Sequence, residues 1–129
     1  MISIRTGLPV EEVITQLKAA IDAENMRLVT HIDGQANAKR MGKTVAADQI
    51  LEVFRPDYAI RVWGACKPAG MDIPLRIHVY EDSDGGVVVS YREAREVFAP
   101  YQSEALQPIA DELDGIFSKI LKVIELQPA

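Results

Sequence analysis

The 129 residues include 14 Lys and Arg against 19 Asp and Glu, a formal charge of −5, with 48% hydrophobic and 26% charged positions. A chain of this size and make-up folds around one core and is neither disordered nor fibrous. Its acidic balance argues against a general nucleic-acid surface and against attachment to anionic lipid, and its one cysteine excludes an intrachain disulfide and a cysteine-cluster metal site.

No apolar leader marks the start, and no apolar run approaches the ~20 residues of a membrane helix, so the expected compartment is the cytoplasm. Residues 2–6 read as a short strand, with Ile2 and Ile4 alternating against Ser3 and Arg5. Pro9 suits a first helical turn. Val10, Val13, Ile14, Leu17, Ala20 and Ile21 then recur at helical spacing, which predicts a helix over 9–24. Residues 27–33 read as a strand, with Leu28, Thr30 and Ile32 on one side and Arg27, Val29, His31 and Asp33 on the other. A short helix is expected over 35–41, stopped by Gly42.

Thr44 reads as the cap of a further helix, with Ala47, Ile50, Leu51 and Phe54 as its stripe and Arg55-Pro56 as its end. Tyr58 to Ala65 reads as a strand on the alternation of Ile60 and Val62 with Arg61 and Trp63, and 66–72 as a loop. The clearest element is a β-hairpin, 73–82 with 86–91. Keeping Ile73, Leu75, Ile77 and Val79 on the same side as Val87, Val89 and Tyr91 sets Val79 opposite Val89 and His78 opposite Ser90, with Gly85 left-handed in a three-residue turn. A helical turn is expected over 92–99, and a last helix over about 108–126, before a frayed Gln127-Pro128-Ala129.

This order predicts an α+β fold: a single compact domain with an antiparallel or mixed sheet of about five strands and helices on one face. One sheet face is then apolar. The other carries Arg61, Trp63, Arg76, His78, Tyr80, Val88 and Ser90, too aromatic for an idle solvent face and too polar for a core.

Several segments together resemble a known family. Phe54-Arg55-Pro56, Tyr58-Ala59-Ile60 and Gly64-Ala65-Cys66-Lys67-Pro68 come first, followed by Ile73-Pro74-Leu75. His78 to Asp82 then leads into Gly85-Gly86 and Val87 to Ser90. With Val13 to Ile21 and the Ile32-Asp33…Ala36-Asn37-Ala38-Lys39 segment upstream, these are similar in content and order to DUF302, a domain family of unknown function. The resemblance is strongest over 9–92. It implies one compact α+β domain over 1–129, often met as a dimer, and no established reaction. Two departures stand out. Lys67 replaces the family's asparagine, and only Ala69 to Asp72 separate that turn from the following strand, where relatives often carry a helical insertion. If the insertion helps to build a pocket, the pocket here is more open.

Candidate chemistry is sparse. Cys66, in a Gly- and Pro-bounded turn beside Lys67, is the candidate thiol for redox or sulfur-transfer chemistry if accessible and ionised, and a small core residue otherwise. At least partial accessibility is expected, because Pro68 and Gly70 turn the chain there. His31, Asp33, Cys66 and His78 are metal-ligand types without ligand spacing, so no metal site and no cofactor is expected. Glu81, Asp82 and Asp84 suit turn geometry rather than calcium. No G-x-S-x-G elbow is present, and Gly42-Lys43-Thr44 is only the tail of a phosphate loop. Arg61, Trp63, Arg76, His78 and Tyr80 combine arginine with aromatic surface, the composition of a dimer interface or of a groove for an anionic, planar or amphipathic ligand. The expected function is a non-enzymatic, homodimeric binding module with a small-molecule ligand, and the alternative is a thiol protein using Cys66.

Overall fold

Ile2 and Ile4 turn inward from β1 (Ile2–Thr6), the first of five strands in a computed structural model that describes residues 1–125. α1 (Val10–Ala23) follows, burying Val13, Leu17 and Ile21 on one face. β2 (Arg27–Asp33) and α2 (Gly34–Arg40) come next, with Asp33 capping α2 through a 2.9 Å bond accepted from the Ala36 amide. β3 (Asp48–Phe54), α3 (Pro56–Ala65), the hairpin β4 (Leu75–Glu81) and β5 (Val87–Tyr91), α4 (Ala94–Phe98) and α5 (Gln107–Glu125) complete the order. The expected helix end at Leu126 and the tail beyond it lie outside the described residues.

The sheet is antiparallel throughout, in the order β1-β5-β4-β3-β2. The hairpin has the expected register, Val79 facing Val89 and His78 facing Ser90, and Gly85 has φ +83°. Leu51, Val53, Leu75, Ile77, Val79, Val87 and Val89 form the covered face and pack with residues of α1, α3, α4 and α5 into one core. Burial of this set is the main stabilising term, at roughly 1.5–3 kcal/mol for each large side chain removed from water.

The two elements on either side of Pro56 differ from the sequence expectation. The segment read as a helix capped by Thr44 is strand β3, hydrogen-bonded to β2 on one side and β4 on the other. Its Ala47, Ile50, Leu51 and Phe54 satisfy a helical period by coincidence, whereas Leu51 and Val53, both fully buried, obey a period of two. The segment read as a strand is helix α3, which Pro56 begins at its first turn. Arg55 before it is extended at φ −147°, as a residue preceding proline must be. Tyr58 and Val62, four apart, are the buried face of α3, while Ile60 is 63% exposed rather than part of the core. Residues 67–72, expected as loop, form a 3₁₀ helix, Lys67–Asp72.

A bulge in β2 also resets its phase. Leu28 faces Val53, but Thr30 faces Glu52 and His31 faces Leu51, with Val29 between. Leu28 and Thr30 therefore do not share a side as simple alternation expects.

Candidate functional site

The side chains of opposite phase form the second sheet face. Ser3, Ser90, His78 and Ile50 make one row across β1, β5, β4 and β3, and Arg5, Val88, Tyr80 and Asp48 make the next. None of these residues belongs to the buried core cluster. Val88 and Ser90 are buried within the face itself, where Val88 lies between Arg5 and Tyr80 in the register. Of the remainder, Ile50 is apolar and half-buried, and the others are polar and at least partly exposed.

Hydrogen bonds fix several of these groups. The His78 Nε2 and Asp48 Oδ1 atoms are 2.9 Å apart, and the His78 and Tyr80 rings stack with centroids 4.7 Å apart at 30°. Ser3 Oγ and Ser90 Oγ are 2.9 Å apart. Arg76 Nε donates to Glu52 Oε2 at 3.3 Å. At the hairpin tip, Arg5 donates to Asp82 at 2.6 Å and to Asp84 at 2.9 Å, and this bonding holds the Asp82 carboxyl below the usual range. The acidic tip is thus tied to a cation of the same sheet.

Ile77 faces Tyr91, and Tyr91 faces Ile2, so β4 begins, β5 ends and β1 begins at one end of the sheet. There a groove of about 500 Å³ opens, lined by Ser3, Glu52, Arg76, His78, Tyr80 and Ser90 from the uncovered face. Met71, Asp72, Ile73, Pro74, Arg92 and Val97, from the flanking segments, complete much of the remaining lining.

Of the five residues expected on this face, Arg76, His78 and Tyr80 are on it. Arg61 and Trp63 are not, because their segment is helix α3. Arg61 instead clasps α5 by donating to both oxygens of Glu112, at 2.9 and 2.7 Å, while Tyr58 Oη donates to the same carboxylate at 3.0 Å. These bonds, Arg61 first, hold the Glu112 pKa down to about 2. Trp63, 47% exposed, lies against Gly70, where an added Cβ would sit 3.1 Å from the indole nitrogen. The Lys67 ammonium is 5.9 Å from the centre of the same ring.

Cys66 caps the end of α3, half-buried and packed against the core. His31 bonds Gln49 at 2.6 Å while Asp33 caps α2, so these two have separate structural partners. Among the described residues no three His, Cys, Asp or Glu side chains converge on a possible metal position. Sequence reasoning missed Glu52, hidden by the helical reading of β3. It also missed Arg92, which continues the Val88, Ser90 alternation one step past the strand.

A five-stranded antiparallel sheet with helices packed on one side and a polar groove at one end of the other defines an α+β protein with one free sheet face. The model of the family described as "Domain of unknown function DUF302" matches residues 2–124. The chain belongs to the DUF302 family. Among solved structures, it is similar to the crystal structure of an uncharacterized conserved DUF302 protein from Bacillus stearothermophilus, with 18% identity and a TM-score of 0.85 over 95% of this chain and 96% of that one. At that identity the likeness shows the fold alone. A search of curated proteins finds no match. Among the described residues no helix is long and apolar enough to cross a membrane.

Proposed function

We propose that this protein is a cytoplasmic, non-enzymatic binding module that holds a small molecule in the groove at the end of the uncovered sheet face. The observation that carries the reading is the groove itself. Its volume of about 500 Å³ falls within the ~300–1,000 Å³ usual for ligand sites, and it combines apolar lining with a few convergent polar groups. Nothing in the setting of Cys66 favours the redox or sulfur-transfer alternative. The test is native mass spectrometry after incubation with a low-molecular-weight cell extract, wild type beside Ser3→Trp, whose indole would occupy the groove. Wild type should retain a small molecule that the variant does not. The same species on both proteins, or none on either, would remove the reading.

A homodimer is the second part of the proposal. Val29 and Ile32 on edge strand β2 are 55% and 40% exposed, apolar surface on a strand whose outer backbone edge pairs with no other strand of the sheet. No residue of β2 lines the groove. Light scattering should give twice the chain mass for wild type and a monomer for Ile32→Asp. A monomeric wild type contradicts it.

A further inference from the structure

We propose that the groove takes a small, flat molecule bearing an oxyanion, a carboxylate or a phosphate, held between Arg76 and Arg92. This rests on the groove being the binding site and names the chemistry it selects. The argument begins with the register. Ile77 faces Tyr91, so one further step along the two strands sets Arg76 against Arg92. Alternation from His78 and Ser90 puts both on the uncovered side, and both line the groove.

Like charges facing each other across antiparallel strands oppose folding. Here the arrangement is only half compensated. Arg76 has a single contact to Glu52 through Nε, at 3.3 Å, and the Arg92 side chain has no hydrogen bond or ion pair among the described residues. Of the acidic residues that line the groove, Glu52 accepts from Arg76 and Asp72 accepts from Tyr101, and neither is bonded to Arg92. An oxyanion between two guanidiniums relieves the repulsion and accepts paired, charge-assisted N–H bonds. Beside this point the stacked His78 and Tyr80 rings offer a flat surface, and Ile50, Ile73 and Pro74 line the groove with apolar atoms, which suits a planar body attached to the charged end.

Calorimetric titration with benzoate, phenyl phosphate, benzyl alcohol and benzamidine tests the charge and separates the two oxyanions. Wild type should bind at least one of the anionic probes, with the neutral and cationic probes weaker by about tenfold or more, the change expected from losing one charge-assisted contact. Arg92→Gln should weaken the anion by a similar factor. Arg92→Glu should abolish binding and raise the melting temperature, because opposite charges then face each other. Benzyl alcohol or benzamidine binding as tightly as the anions would overturn the oxyanion assignment while leaving the groove as the site. Failure of every probe to bind, or an Arg92→Glu protein that keeps its anion affinity, would also overturn it. The Ser3→Trp comparison then decides separately whether the groove binds anything.

Discussion

The two faces of one sheet carry different burdens. On the covered face Leu51, Val53, Ile77, Val79 and Val89 are sealed from water by helices. On the other face, the same strands present Asp48, Glu52, Arg76, His78 and Tyr80. Because a strand turns alternate residues to opposite sides, five short segments supply both surfaces without compromise. Stability resides on the first face. The second is free to carry polar and charged side chains, such as Arg76 with its partner Glu52.

The largest difference should appear in chemical denaturation. Ile77→Ala removes a fully buried side chain from the covered face and should cost about 2–5 kcal/mol, transfer and cavity together. His78→Ala, the next residue on the opposite face, should cost about 0.5 kcal/mol, as surface changes do. Equal losses would erase the division between the faces.

Gly85→Val acts on both faces at once, through the turn that sets their register. Its φ is +83° and an added Cβ would meet nothing within 4 Å, so the cost is purely backbone strain, more than about 1 kcal/mol for a β-branched residue. An unchanged melting curve would place the turn's constraint elsewhere.

The smallest effect belongs to the helix layer. Arg61→Gln should raise the Glu112 pKa from about 2 toward the ordinary ~4.3, read by NMR of its side-chain carbonyl carbon. Because the folded value is depressed, the contribution to stability is present above the unfolded pKa and is lost as pH falls toward 2. A Glu112 titration unmoved by the substitution would show that the clasp does not persist in solution.

What the sequence revealed follows the strength of each local pattern. The hairpin was legible because period-two alternation and a glycine turn constrain the same register, and α1 and α5 because their stripes run for several turns. Residues 44–65 misled because Pro56 can end a helix or begin one. Ile50, Leu51 and Phe54 fit a helical period as well as a strand, and only pairing with β2 and β4 decides between them. That ambiguity moved Arg61 and Trp63 onto the sheet and hid Glu52. Arg76, His78 and Tyr80 were correctly grouped, since their strand was read in phase. Arg92 lay one position beyond the strand, visible only by extending the register that the hairpin already implied.

The division of labour between the faces is tested most directly by NMR titration of the protein with benzoate and, separately, with phenyl phosphate, following side-chain signals on both sides of the sheet. The account predicts that with at least one of the two the Arg76 and Arg92 guanidinium and His78 ring signals move together in a saturable way, while the methyl groups of Val13, Leu17 and Leu113, buried in the helix layer, stay in place. Shifts centred on those buried methyls, or none at the two arginines with either anion, would contradict it.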